Sequence, residues 1–131
     1  MANERDVNSV DKTLKIVPLD KKIETWPRWR ARFEAMAQVK GLWTALKKKG
    51  DLPDNPEDYE TGMNAEQKAA AEKAIKLNSI AYSSLILSVQ GDPGFGRVNS
   101  ARTVKYPTGV AYLALERLLE EYEPNNHMSK V

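Results

Sequence analysis

The chain has 131 residues, of which 41% are hydrophobic and 29% charged, and its net charge is +2. These values are typical of one globular domain, and the positive charge is too small to indicate nucleic-acid binding by itself. The absence of cysteine excludes disulfides, zinc knuckles and thiol catalysis within this chain. No apolar run approaches the ~20 residues of a membrane span, and the N-terminus lacks the apolar region of a signal peptide. We therefore expect a cytoplasmic protein that does not bind membranes.

Residues 1–13 are polar, and we expect them to form a flexible tail. The stretch LKIVPLD, from residue 14, predicts a short extended segment, because the residue before Pro18 disfavours helix. TWPRWRARFEAMAQVK then predicts the first helix, with Pro27 at its first position. Its period of 3.6 residues places five apolar side chains on one face and Arg28 and Arg32 opposite them. The five apolar residues are Trp26, Trp29, Phe33, Met36 and Ala37.

GLWTALKKKG predicts a second, short helix that turns Leu42, Trp43 and Leu46 inward and stops at Gly50. The acidic stretch from residue 50 to 63 contains two prolines and predicts a loop. Asn64 and Gln67 form a capping-box pattern at the start of the longest helix, which we expect to reach Val89.

The longest helix is predicted to have a broad apolar side, widened by Ile75, Tyr82 and Ile86, and a polar stripe. Ile80 and Leu87 lie near the polar stripe, so this helix is expected to be covered on more than one side. The apolar side consists of Ala70, Ala74, Leu77, Ala81, Leu85 and Val89, and the polar stripe of Lys68, Glu72, Lys76, Ser79 and Ser83.

GDPGFGRVNSARTVKYPTG, residues 91–109, combines four glycines with three basic residues, a composition that fits either a phosphate cradle or a long connection. It follows a helix rather than a strand and lacks the Gly-Lys-Ser/Thr ending of a phosphate-binding loop, which favours a connection. We expect Phe95 and Val98 to anchor it and a short helical turn to form within VNSARTV.

Thr108 is predicted to cap the last helix, GVAYLALERLLEEY, which Pro124 ends. Its inward residues are expected to be Ala111, Leu115, Leu118, Leu119 and Tyr122, opposite Glu116 and Glu120. The sequence thus predicts an all-α fold, a small bundle of four to five helices over residues 14–124, followed by the start of a truncated segment at 125–131. The residues expected to define its core are Trp26, Trp29, Phe33, Trp43, Leu77, Leu85, Leu115, Leu118 and Tyr122.

The candidate contact residues are basic side chains interleaved with tryptophans. Aromatic rings beside cations can stack bases and bind phosphates. The tryptophans share the apolar face with Phe33, however, so a core role is the alternative. The cations either form an ordinary solvated face or contact RNA or another subunit. They are Arg28, Arg32, Lys47, Lys48 and Lys49, with Arg30 between the first two.

Catalytic and metal-binding patterns are not evident. His127 is the single histidine, and it has no cysteine or acidic residue at the spacing of metal ligands. Glu120 and Glu121 could act as an acid pair, but no nucleophile or base lies near them in the sequence. We therefore expect neither enzymatic activity nor a metal, a cofactor or a small-molecule substrate.

The order of the motifs resembles the capsid N-terminal region of Gag polyproteins from copia-type LTR retrotransposons. TWPRWRARFEAMAQVKGLW resembles that family's Trp-x-x-Trp opening and its Lys-Gly-Leu-Trp, and LNSIAYSSLILSV resembles its next helix. The stretch from residue 92 to the end is similar to its later helix, its Tyr-x-Pro and its Ser-Lys-Val segment. Two positions depart from the family's pattern. Val110 stands where the family often has an acidic residue, and Leu115 stands where it often has Trp, although leucine is also apolar.

The resemblance implies a structural capsid-like protein that, in its full-length form, self-associates with other Gag subunits into a particle that packages the element's RNA. Such assembly depends on many weak contacts between helix faces and needs no catalytic residue. The family continues with further capsid helices and usually a zinc knuckle, so this chain is interpreted as a fragment, a truncated element or a domesticated remnant. A domesticated Gag-derived helical adaptor and an RNA-binding module remain the alternatives.

Overall fold

The computed structural model describes residues 26–57, 59 and 61–123. This part of the chain contains helices and no strand, which confirms the predicted all-α fold. The predictions for residues 1–13, for the extended segment at 14–20 and for residues 125–131 concern parts of the chain outside the described residues. The five helices are α1 (Trp26–Val39), α2 (Trp43–Lys47), α3 (Ala65–Ser88), α4 (Gly94–Asn99) and α5 (Ala111–Tyr122).

Helix α1 buries the face that its sequence period predicts. Its buried residues are the five predicted ones, and Arg28 and Arg32 are exposed on the other side. The helix is described from Trp26, so Pro27 lies in its first turn, where a missing backbone N–H leaves no hydrogen bond unmade. Gly41, at φ +73°, then reverses the chain into α2.

Helix α2 is a single short turn that fits against the core. Leu42, just before it, and Leu46 are fully buried, whereas Trp43 is partly buried and packs against the core from the side. The loop that follows is fixed at two points. Leu52 is buried, and the Tyr106 hydroxyl donates a hydrogen bond to the Pro53 carbonyl.

Helix α3 begins with the predicted capping box. The Asn64 side chain accepts from the Gln67 N–H at 2.8 Å, and the Gln67 side chain accepts from the Asn64 N–H at 3.0 Å. Ala81, Leu85 and Val89 are buried as predicted, and Leu77 packs partly buried against the core.

The remainder of the predicted α3 face needs correction. In the N-terminal half the fully buried alanine is Ala71, whereas Ala70 is only partly buried. The expected cover over Ile80 and Leu87 is wrong, because their exposed fractions are 46% and 80%. Among the described residues, cover along the C-terminal half of this helix is therefore found on one side only.

The segment from 91 to 109 is a packed connection. Its short helix, α4, begins at Gly94, four residues before the stretch predicted to be helical. Val98 is completely buried, as expected of an anchor, but Phe95 is 42% exposed and does not anchor the segment. Ala101 is a second buried anchor, and its carbonyl accepts from the Val110 N–H at 3.0 Å.

Helix α5 is not capped by Thr108. Its N-cap position is Val110, whose side chain makes no capping hydrogen bond. The cap comes instead from α3: Asn78 Oδ1 accepts from the Ala111 N–H at 2.7 Å, and Asn78 Nδ2 donates to the Gly109 carbonyl at 3.0 Å. Burial of Asn78 is therefore compensated by two hydrogen bonds.

The main core takes residues from all five helices, with α5 packed against α2, α3 and α4, and α1 packed against α2. Seven of the nine residues predicted to define it are buried, and Trp43 and Leu77 pack against it partly exposed. A smaller cluster of Leu52, Tyr106 and Val110 extends under the loops.

Candidate interaction surface

The tryptophans of α1 belong to an aromatic stack inside the core. The ring of Trp26 lies 4.7 Å from that of Tyr122 and 5.4 Å from that of Trp29, and Trp29 lies 4.9 Å from Phe33. Both tryptophans are 3% exposed. Their faces are occupied by other rings, so the core interpretation is correct and these residues present no platform for stacking bases.

The arginines of α1 divide into two kinds. Arg28 and Arg32 are exposed and lie one helical turn apart, so they offer two adjacent charges to solvent. Arg30 instead donates to Glu34 at 3.0 Å and to both carboxylate oxygens of Glu123. Burial opposes the charge of Arg30, but its hydrogen bonds to these two carboxylates and their negative charge outweigh burial, and the pKa of its guanidinium is raised.

The Arg30–Glu123 pair joins the first and last described helices. Glu123 also accepts from the Trp26 Nε1 at 2.6 Å, so one carboxylate holds both an arginine and a tryptophan of α1. The Glu123 side chain is 16% exposed, and this burial makes its hydrogen bonds stronger than those of a fully solvated pair. The charge of Arg30 is therefore already paired within the fold, and this pair holds α1 against the end of α5.

The lysines at the end of α2 lie along two different grooves. Lys47 shares a groove of about 220 Å³ with Arg30, Glu34 and Glu116. Lys48 and Lys49 line a second groove, of about 420 Å³, between α2 and α3. All five predicted contact residues are exposed, but Arg28 and Arg32 line neither groove, so the five do not converge on one pocket.

The groove between α2 and α3 has an apolar floor and a charged rim. Ala45, Leu52, Ala74 and Leu77 supply the floor. The rim carries Lys48, Lys49 and Asp51, and also Lys73 of α3, which the sequence prediction did not include. Lys73 could have been found from its place one turn before Leu77, since i and i+4 residues lie side by side on a helix.

Lys49 is the one predicted contact residue with an ion pair described in the structure. Its Nζ donates to Asp54 Oδ1, and this hydrogen bond raises the pKa of the Lys49 ammonium. Both side chains are largely exposed to solvent, which weakens the pair. Lys49 therefore remains accessible to a competing anion.

Two of the four glycines of residues 91–109, Gly94 and Gly109, pack closely against protein, whereas Gly91 has a φ of +71° and nothing within 4 Å of an added Cβ. A Cβ at Gly94 would lie 2.8 Å from Val89 Cγ1, and a Cβ at Gly109 would lie 2.3 Å from the Tyr82 ring. Among the three basic residues of the segment, Arg97 donates to Glu121 at 2.9 Å, whereas Arg102 and Lys105 are exposed. Close packing therefore explains Gly94 and Gly109, and the left-handed backbone explains Gly91.

Among the described residues, no group of histidine, cysteine and acidic side chains is arranged to hold a metal ion. His127 lies outside those residues. None of the described helices is long and apolar enough to cross a membrane.

Comparison with known proteins returns no match: no family model, no curated protein and no solved structure is similar to this chain.

Proposed function

We propose that the chain is a Gag-like structural protein of a copia-type retrotransposon, which self-associates in the cytoplasm and packages RNA. The observation that carries the proposal is the ordered set of family-like motifs. The first motif supplies Trp26 and Trp29, the last supplies Tyr122, and all three rings stack in one core. Packing of the first and last motifs in one core is expected if the motifs descend from a single folding unit.

Self-association requires a surface, not a pocket. Several large hydrophobic residues remain exposed on this small bundle, and so do the predicted basic contact residues. Weak contacts of this kind become strong when many copies bind one another and one RNA. The proposal assigns no catalytic residue, no cofactor and no small-molecule substrate.

RNA would bind through exposed cations. Arg28, Arg32, Lys47 and Lys48 are exposed, and each cation that contacts a phosphate releases a counterion and so makes binding weaker as salt rises. A role as a stand-alone RNA-binding module rests on the same residues. It differs from the Gag proposal in requiring no self-association.

A domesticated adaptor is the other alternative, and the groove between α2 and α3 favours it. That groove is concave, and its floor is mainly apolar, as binding sites for peptides and small ligands often are. An adaptor would bind a host protein as a monomer.

The test is to purify the chain free of nucleic acid, add RNA, and examine the mixture by electron microscopy and light scattering. Closed or regular particles that protect RNA from nuclease support the Gag proposal. A protein that remains monomeric at high concentration, both with and without RNA, contradicts it. Salt-dependent RNA binding by a strict monomer supports the RNA-binding module.

A further inference from the structure

The groove between α2 and α3 has the size of a binding site. Its volume of about 420 Å³ lies within the range of about 300–1,000 Å³ that is usual for ligand pockets. Helix α3 contributes Ala70, Ala74 and Leu77, which span about 10 Å along the helix axis. The opposite side, formed by α2 and the loop after it, contributes Ala45 and Leu52. The groove is therefore long enough for about three residues of an extended chain or two turns of a helix.

The floor of the groove suits an aliphatic group. Asn78 is a buried polar side chain among the lining residues, but both halves of its amide are already bonded to the backbone of Gly109 and Ala111. None of the described residues that line the groove is aromatic, so a nucleobase would find no ring on which to stack. The part of a ligand that enters the groove is therefore an aliphatic side chain rather than a base.

Cations lie on both sides of this floor. Lys48 and Lys49 directly follow α2, and Lys73 lies on α3, whereas Asp51 is the one acid among the described residues that line the groove. Lys49 is paired with Asp54. Lys48 and Lys73 are exposed and form no ion pair within the described part of the chain. Unpaired positive charge on both sides of an apolar floor is complementary to a partner whose apolar group is flanked by anions.

We propose that the groove between α2 and α3 binds a short acidic peptide segment of a partner protein. A leucine-like side chain of the segment enters the groove, and carboxylates before and after it pair with Lys48 on one side and Lys73 on the other. The small side chains of Ala45, Ala70 and Ala74 let the peptide backbone approach closely. The inference goes beyond the proposed self-association and does not depend on it.

The size of the groove and the exposure of its lysines determine the strength of binding. A segment of a few residues buries far less than the ~800 Å² that each partner buries in a standard stable complex. Ion pairs with exposed lysines each contribute little, because water and salt screen them. We therefore expect a dissociation constant between about 10 µM and 1 mM, as in a transient contact.

Fluorescence polarisation with a labelled synthetic peptide tests the class of ligand. The probe has the sequence Glu-Asp-Leu-Leu-Asp-Glu and carries fluorescein at its N-terminus. One control peptide replaces both leucines with alanine, and a second replaces the acids with their amides. Each control is expected to bind about fivefold more weakly than the probe, or weaker still. Equal binding of the probe and either control overturns the proposal, as does the absence of probe binding at millimolar protein.

Substitutions in the protein test the location of the site. Lys73→Glu is expected to weaken probe binding about fivefold or more, and Lys47→Glu is its matched control, since that exposed lysine lines the other groove. Ala74→Gln obstructs the groove without changing its charge, and Ala69→Gln, exposed on the same helix outside the groove, is the matched control. Circular dichroism checks that the four variants fold. If both members of either pair bind the probe equally well, the proposal is wrong.

Other occupants of the groove give different results. If a ten-nucleotide oligouridine binds the chain and Lys73→Glu weakens that binding more than it weakens probe binding, the lysines form a phosphate site and the peptide proposal is overturned. If the probe does not bind but Lys73→Glu reduces self-association in sedimentation experiments, the occupant is a second copy of the chain, which also overturns it.

The same measurements separate this inference from the proposed function. Probe binding by a chain that forms no particles with RNA supports the peptide site and rejects the Gag proposal. Particles formed by a chain that does not bind the probe reject the peptide site and leave the Gag proposal standing.

Discussion

Asn78 on α3 caps a helix that begins 33 residues later, because its Oδ1 accepts the N–H of Ala111 at 2.7 Å. The same side chain donates to the Gly109 carbonyl, so both halves of the amide are used. A buried asparagine on an otherwise apolar face is thereby explained, and it fixes the angle at which α5 enters the bundle.

Replacing Asn78 with alanine is expected to destabilise the fold by about 2–4 kcal/mol, since it leaves a buried N–H and a buried carbonyl without partners. Urea denaturation followed by circular dichroism measures the change. Ser79→Ala is the matched control, because Ser79 is the next residue and is exposed. A loss below about 0.5 kcal/mol for Asn78→Ala, the usual range of surface substitutions, would show that the cap contributes little.

Gly109→Ala is expected to destabilise the fold by about 2–5 kcal/mol. A Cβ there would lie 2.3 Å from the Tyr82 ring, and the backbone φ of +106° is unfavourable for any residue with a side chain. Gly62→Ala separates the two causes, because φ is +79° at Gly62 but nothing lies within 4 Å of the added carbon. The control is expected to lose only about 1–2 kcal/mol of backbone strain. Equal losses at both sites would argue that the tyrosine ring moves aside freely.

Tyr106 provides a prediction about pH. Burial, helped by the charge of Asp54, raises the pKa of its hydroxyl to about 12, above the ordinary value of 10.0. The unfolded chain therefore releases this proton at lower pH than the folded chain does. The contribution of Tyr106 to the free energy of unfolding is fully present below pH 10 and is lost between pH 10 and 12.

Ultraviolet titration checks this, since phenolate formation changes the absorbance of tyrosine. The difference between wild type and Tyr106→Phe isolates one of the five tyrosines. Its midpoint is expected near pH 12 in the folded protein and near pH 10 in urea. A folded midpoint at 10 would mean that the hydroxyl is solvated.

Glu123→Ala is expected to destabilise the fold by about 1–2 kcal/mol at low salt, because it removes charge-assisted hydrogen bonds to Arg30 and Trp26. The Arg30 side chain is 39% exposed, so part of the effect is expected to disappear in 1 M NaCl. Glu116→Ala, an exposed acid on the same helix, is the control. Denaturation at both salt concentrations measures the effect, and a loss that does not change with salt would point to packing rather than charge.

Periodicity was sufficient to predict the helices that bury a simple apolar face. The five buried residues of α1 and the capping box of α3 follow from neighbours in sequence, because a 3.6-residue period and a three-residue spacing are local properties. The capping of α5 could not be predicted in this way. Thr108 satisfies the local rule, but the structure uses Asn78, which only the tertiary fold brings into place.

The candidate interaction surface could likewise be predicted only in part from the sequence. Arg28 and Arg32 are exposed, as their position opposite the apolar face indicates. The pairing of Arg30 with Glu123 spans 93 residues and has no local signal. Phe95 shows the opposite error: its hydrophobicity suggested an anchor, but it is 42% exposed, and Val98 and Ala101 are buried instead.

The dependence of α5 on a residue of α3 has a consequence for cooperativity. An isolated helix of 12 residues is marginal in water, and the side chain at the N-cap position of α5, Val110, makes no capping hydrogen bond. When α3 frays or shifts, α5 loses its cap and the aromatic stack loses Tyr122. Amide hydrogens of the two helices should therefore exchange with solvent in one common opening event, with no separate slow-exchanging subdomain.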